Sequence, residues 1–143
     1  MIRKVIELSE IIDKNCINQE SDFEYAGIEG YAEFIGWKLV FFRQNKNSCF
    51  YDAVSFFDIE DKEVDLCNTI LKKFNFPINF NSEPDDIFRI FGKNYSTDDI
   101  IEDCTRYNYK LKENLFLSFG VSKKKITSIE MIFDSKIVNN RTE

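Results

Sequence analysis

The chain has 143 residues and a net charge of −6, with 43% hydrophobic residues, 31% charged residues and no histidine. This length and composition are typical of one globular domain, residues 1–143. The acidic balance argues against nonspecific nucleic-acid binding, which requires lysines and arginines that replace phosphate counterions. The absence of histidine excludes Ser-His-Asp triads, Cys-His pairs and most catalytic zinc sites.

The first thirty residues predict a helix followed by a loop. Apolar residues from Val5 to Ile12 recur at helical spacing within residues 2–15, which indicates a short amphipathic helix. Residues 15–30 are polar and acidic and contain the turn-forming residue Gly27, so they are typical of a loop.

The next stretch predicts a β-hairpin. Residues 34–43 are apolar on both alternating faces, which indicates a central or doubly covered strand. The polar residues 45–48 suit a turn, and residues 49–59 predict the returning strand, interrupted by Asp52.

Two helices are predicted in the middle of the chain. Residues 63–76 carry an apolar stripe with lysines in the last turns, and Pro77 prevents continuation. Residues 83–91 begin with Pro84 and acidic residues and stop at Gly92. Residues 93–105 predict either a short helix or a loop.

The last third, residues 106–134, predicts a three-stranded meander. Its apolar and polar residues alternate, and polar turns separate three runs. Residues 135–143 are polar and are expected to form a frayed tail. The predicted fold is therefore α+β. It has a single antiparallel sheet of about five strands (hairpin plus three-stranded meander), with helices packed on one face.

No cluster of residues predicts catalysis, a metal site or a cofactor. The four cysteines are far apart, and none lies in a glycine-rich or basic context: Cys16, Cys49, Cys67 and Cys104. The acidic doublets at residues 85–86 and 98–99 are typical of helix starts. Neither a signal peptide nor an apolar run long enough to span a bilayer is evident, so we expect a cytoplasmic protein with reduced thiols.

Acidic charge is unevenly distributed and predicts a protein-binding surface. Residues 1–104 carry 11 basic and 21 acidic side chains, whereas residues 105–143 carry 8 basic and 4 acidic ones. If the fold brings two acidic runs together, they would suit a basic protein such as a nuclease. A solvated helix face is the alternative for each residue. The predicted partner-binding residues are Asp58, Glu60, Asp61, Glu63, Asp65, Asp98, Asp99, Glu102 and Asp103.

The order of elements also carries a resemblance. Phe91-Gly92, Tyr107-Asn108-Tyr109, and the runs 115–121 and 126–133 resemble the helix–glycine–strand–strand–strand module of β-lactamase-inhibitor-like domains. Small bacterial immunity proteins, including those of contact-dependent growth inhibition (polymorphic toxin) systems, have a similar build, and the likeness covers about a third of the chain. It implies a noncatalytic immunity protein that binds and neutralises a cognate toxin domain. The alternatives are a generic interaction or regulatory module and, third, a small enzyme using carboxylate or cysteine chemistry.

Overall fold

The computed structural model of the chain describes residues 1–142. Its main element is one sheet of eight antiparallel strands in the order β1-β2-β3-β4-β8-β7-β6-β5. The strands are β1 (Asn18–Tyr25), β2 (Ile28–Ile35), β3 (Leu39–Arg43), β4 (Ala53–Phe56), β5 (Ser96–Ile101), β6 (Cys104–Lys112), β7 (Leu115–Ser122) and β8 (Lys125–Ile132).

The sheet consists of two four-stranded meanders that meet in its centre. Strands β1 to β4 follow one another, β5 to β8 do the same, and β4 pairs with β8 through contacts such as Val54 with Met131. The helices α1 (Val64–Lys73) and α2 (Pro84–Phe91) connect the two meanders, and α3 (Ser135–Thr142) follows β8. Short 3-10 turns occur at Leu8–Glu10, Lys14–Cys16 and Asp61–Glu63.

Local signals explain where α1 and α2 begin and end. Glu60 and Glu63 form a capping box before α1, and Glu83 and Asp86 form another before α2. A positive φ of 86° at Gly92 ends α2, a conformation that glycine adopts without a steric penalty.

Helices cover both faces of the sheet. On one face, α1 buries Cys67, Ile70 and Leu71 against a core that includes Phe41 and Met131. On the opposite face, which we call the α3 face, α3 packs on a second cluster. That cluster contains Phe42, Ala53, Phe116, Ile132, Ile137 and Val138.

Aromatic side chains seat α2 on β6 and β7. Tyr109 is fully buried, and its hydroxyl donates a hydrogen bond to the Gly92 carbonyl oxygen over 2.7 Å. Phe91 packs against both Tyr109 and Phe119, with ring centroids 5.8 and 5.5 Å apart. Many of the chain's aromatic residues are therefore used in the core.

The predicted sheet of about five strands with helices on one face is wrong. The sheet has eight strands, and α3 lies on the face opposite α1. The additional strands are β1, in residues predicted as a loop, β2, which runs from the end of that loop into the predicted strand at 34–43, and β5, in residues predicted as a helix or loop. Strands β1 and β5 form the sheet edges, where one side is solvated and a polar sequence is tolerated.

The predicted N-terminal helix is also wrong. Residues 2–6 are extended beside the segment that precedes β4. The Val5 N–H donates to the Cys49 carbonyl over 3.0 Å, and the Tyr51 N–H donates to the Arg3 carbonyl over 2.9 Å. The apolar side chains at helical spacing therefore contact the core from an extended chain and the 3-10 turn at Leu8–Glu10.

Other predictions have mixed outcomes. The helices at 63–76 and 83–91 and the three-stranded meander are confirmed. The single strand predicted at 34–43 is instead the end of β2, a tight turn and β3. Where a frayed tail is predicted, α3 extends to Thr142, and Glu143 lies outside the described residues.

Candidate functional site

Turns from both meanders meet at one end of the sheet. The antiparallel register places the turns at residues 36–38, 102–103 and 123–124 at this end, together with Asp58, which follows β4. We call it the Trp37 end. Of the two predicted acidic runs, residues 58–65 begin at this end of the sheet, and residues 98–103 include the β5–β6 turn that lies here.

The two runs do not form a continuous negative surface. Between β4 and β5 the sheet places β8, β7 and β6, so the β7–β8 turn separates the runs. This turn carries Lys123 and Lys124, both in left-handed backbone conformations, and the exposed Lys125 follows it. The predicted meeting of acidic residues is thus interrupted by positive charge.

Basic side chains neutralise much of the first run. The Lys38 Nζ lies 2.9 Å from Glu63 Oε1 and 3.5 Å from Glu60 Oε2. Burial opposes ionisation of Glu63, but hydrogen bonds from the Glu60 N–H and Lys38 hold the pKa of its carboxyl below the usual value. Lys125 lies 3.8 Å from Asp61. The Lys38 contacts hold the acidic residues at the start of α1, whereas the solvent-exposed pair of Lys125 and Asp61 contributes little to stability.

Two acidic residues of the first run are left without an ion pair in the described part of the chain. Asp65 is exposed in the first turn of α1. Asp58 is also exposed, and its backbone N–H donates to Ser128 Oγ over 3.0 Å.

In the second run one carboxylate is paired and three are not. Arg106 donates from Nε and Nη2 to the two carboxylate oxygens of Asp98, over 2.7 and 2.6 Å. These hydrogen bonds lower the pKa of Asp98. Three further residues are exposed and have no ion pair among residues 1–142: Asp99, Glu102 and Asp103.

The strongest acidic feature lies outside the predicted residues. Residues 7–29 contain seven acidic residues and one lysine, for a net charge of −6, and the rest of the chain has 18 of each sign. This segment, which we call the acidic edge, therefore carries the net charge of the whole chain. All seven carboxylates are exposed, and within residues 1–142 none forms an ion pair: Glu7, Glu10, Asp13, Glu20, Asp22, Glu24 and Glu29.

The acidic edge includes the open border of the sheet. Strand β1 pairs with β2 on one side and has no strand neighbour on the other within the described residues. Its register shifts between Glu20 and Phe23, which is a bulge of the kind that edge strands use to limit self-pairing. Sequence reasoning missed this site because an acidic strand looks like a loop. A count of charge in short windows would have found it.

The four cysteines comprise two buried and two exposed side chains. Burial raises the pKa of the Cys67 thiol to about 12, and it also raises the pKa of the buried Cys104. Cys16 and Cys49 are the exposed ones. Among residues 1–142 there is no group of three or more acidic or cysteine side chains arranged to hold a metal ion.

No helix in residues 1–142 has both the length and the apolar character needed to cross a bilayer. Searches against protein families, curated proteins and solved structures gave no match to this chain.

Proposed function

We propose that the protein is a noncatalytic immunity protein that binds and neutralises a cognate bacterial toxin domain through an acidic surface. The observation that carries the proposal is that residues 7–29 carry the whole net charge of the chain, and that their seven exposed carboxylates form no ion pair among residues 1–142. The partner is a basic protein domain, for example a nuclease, and the encounter takes place in the cytoplasm.

The charge of the acidic edge does not stabilise the fold. Like charges close together repel one another and destabilise a compact state, so unpaired carboxylates on one border do not help the chain to fold. A domain that binds phosphates must present lysines and arginines, and an acidic surface attracts it and competes with its substrate. This complementarity favours a toxin acting on nucleic acid.

The geometry of β1 adds a second contribution. An edge strand presents backbone N–H and C=O groups that another strand can pair with. Two copies of β1 would bring Glu20, Asp22 and Glu24 against the same acidic residues, which disfavours self-pairing. A basic partner segment meets no such repulsion.

A generic interaction or regulatory module is the second candidate, since it could use the same acidic edge. The two candidates differ in what the partner does. An immunity protein has a partner that is toxic without it, whereas a regulatory module has a partner that is harmless alone.

The test is protection of growing cells. A toxin domain encoded beside this chain is expressed from an inducible promoter, with and without the protein, and viable cells are counted. We expect killing without the protein, survival with it, and a stable complex on copurification. Survival that never depends on this chain, with no complex formed, would overturn the proposal.

A further inference from the structure

The chain's single tryptophan lies in an unusual position. Trp37 occupies a tight turn between β2 and β3 with a φ of 63°, and its side chain is 68% exposed. Gly36 before it also has a positive φ, of 58°, and the Lys38 N–H donates to the Ile35 carbonyl over 3.2 Å. Two-residue turns of this kind favour asparagine and glycine, because a bulky residue is strained there.

Packing within the fold covers only part of the Trp37 ring. One face of the indole stacks on Phe34, with ring centroids 4.3 Å apart. Trp37 is 68% exposed despite this stacking, so most of its ring remains accessible for a further contact. A strained backbone and an exposed aromatic ring at a turn suggest that the ring is retained for a contact with another molecule.

The surface beside Trp37 is an uncovered part of the α3 face. Helix α3 covers the row of Phe42, Ala53 and Ile132, which lies away from the Trp37 end. Nearer the Trp37 end, the described residues place no helix on this face. Phe57 lies here, 41% exposed, and its N–H donates to the Lys38 carbonyl over 2.9 Å, so it is adjacent to the Trp37 turn.

The charges around this surface favour a cationic partner. Asp58 directly follows Phe57 and is exposed without an ion pair among residues 1–142. Glu20 pairs with Ala32, and Phe34 is two residues further along β2. Diagonal neighbours of this kind lie about 7–8 Å apart, within reach of long side chains.

Two of the nearby cations are already engaged, whereas Lys123 and Lys124 of the β7–β8 turn have no ion pair among residues 1–142. Arg106 is paired with Asp98, and the Lys38 ammonium binds Glu63 and Glu60. An incoming cation therefore meets the carboxylates of Glu20 and Asp58 and the exposed indole, close to the Lys38 ammonium, which also donates to the Asp58 carbonyl oxygen over 2.9 Å.

We propose that this surface binds an arginine-bearing segment of the partner protein, with a guanidinium stacked on the exposed ring of Trp37 and paired with Glu20 or Asp58. Arginine fits better than lysine because its planar group stacks on aromatic rings while donating hydrogen bonds to carboxylates. The inference rests on the proposed function in taking the partner to be a basic protein. A nucleic acid does not fit, because its phosphates would face the same carboxylates.

The test uses an octa-arginine peptide as the probe and the fluorescence of the unmodified chain as the readout. Because Trp37 is the only tryptophan, its emission reports on this surface alone. We expect saturating peptide to change the emission and to reduce acrylamide quenching. Octa-lysine should have a smaller effect at equal charge. Unchanged quenching at saturation would overturn the proposal, as would an equal effect from a single-stranded oligonucleotide or from dimerisation of the chain.

Substitutions distinguish binding at this surface from nonspecific attraction between opposite charges. Trp37→Asn keeps a residue suited to the turn, and it should weaken binding of a fluorescein-labelled peptide about two- to fivefold. Glu20→Gln with Asp58→Asn should reduce the protection of Trp37 from quenching. Asp85→Asn with Glu113→Gln removes the same charge from exposed positions outside the acidic edge and should leave that protection unchanged. Equal loss in both pairs would contradict the inference.

The immunity function and the arginine-binding surface are tested independently of each other. If Trp37→Asn binds the peptide as tightly as the unmodified chain while cells remain protected from the toxin, the inference is wrong and the immunity function remains. If the peptide results hold but no toxin is neutralised, the surface remains and the immunity function is wrong.

Discussion

Asp98 and Arg106 face each other across the β5–β6 hairpin and share two hydrogen bonds, of 2.7 and 2.6 Å. Asp98 is therefore a carboxylate that stabilises the fold. The neighbouring Asp99, Glu102 and Asp103 differ from it, because they have no ion pair among residues 1–142. The same distinction applies to Glu63, which Lys38 neutralises. Acidic residues are candidates for partner binding only where no cation within the fold engages them.

We predict that Asp98→Asn destabilises the fold without weakening partner binding. The side chain of Asp98 is 46% exposed, so solvent screens the pair and the expected cost is only about 0.5–1 kcal/mol. Because the folded pKa of Asp98 is lowered, this contribution is complete above the unfolded pKa of about 3.9 and is lost as the pH falls through the folded value. Urea denaturation at pH 7 and below pH 3 measures it. Asp99→Asn is the control and should change stability little.

We predict that Gly30→Ala is more damaging than Gly36→Ala. A Cβ on Gly30 would lie 2.4 Å from the Arg43 carbonyl oxygen, so β2 and β3 must move apart. The expected cost is about 1–3 kcal/mol. A Cβ on Gly36 meets open space, and only its φ of 58° is strained, at roughly 1–2 kcal/mol. Thermal denaturation of the two variants should show this order, and the reverse order would contradict the register of β2 and β3.

We predict that α3 is an integral part of the fold. Ile137 is fully buried in the cluster on the α3 face, so Ile137→Ala should cost about 2–4 kcal/mol in the free energy of unfolding. Lys136→Ala, at an exposed position of the same helix, is the control and should change stability by less than about 0.5 kcal/mol. Similar small effects from both variants would show that residues 135–142 are a tail.

We predict that stability declines in alkaline solution. Burial raises the pKa of Cys67 from 9.0 to about 12, and it raises the pKa values of Tyr51 and Tyr109 from 10.0 to about 12. A raised folded pKa means that the contribution is complete below the unfolded pKa and is lost as the pH rises toward the folded value. The free energy of unfolding should therefore decrease from pH 9 upward. Cys67→Ala should make that decrease less steep, and an unchanged slope would contradict the assignment.

The sequence predicts an element correctly where its apolar residues recur at the spacing of a helix or of a strand, and where a residue such as proline or glycine marks its end. Helices α1 and α2 are examples: α1 ends at Lys73, four residues before Pro77, and α2 ends at Phe91, directly before Gly92. Strands β1 and β5 could not be predicted in this way, because edge strands need only one buried side and tolerate acidic residues. Helix α3 was missed because it buries only Ile137 and Val138.

The candidate site is likewise only partly predictable from the sequence. The concentration of charge in residues 7–29 is visible in the sequence, although sequence reasoning did not identify it. The neutralisation of Asp61 by Lys125 could not be predicted, because the fold alone brings the β7–β8 turn beside the start of α1. The sequence therefore indicates where charge is located, and the fold determines which charges remain free.

The most direct measurement compares two triple variants in calorimetric titration against the toxin domain encoded beside this chain. The first, Glu20→Gln with Asp22→Asn and Glu24→Gln, neutralises β1. The second, Asp99→Asn with Glu102→Gln and Asp103→Asn, removes the same charge from the β5–β6 hairpin. The account predicts that the first triple weakens binding on the order of tenfold and that the second changes it little. Equal effects, or a larger effect of the second triple, would contradict the assignment of the partner-binding surface to the acidic edge.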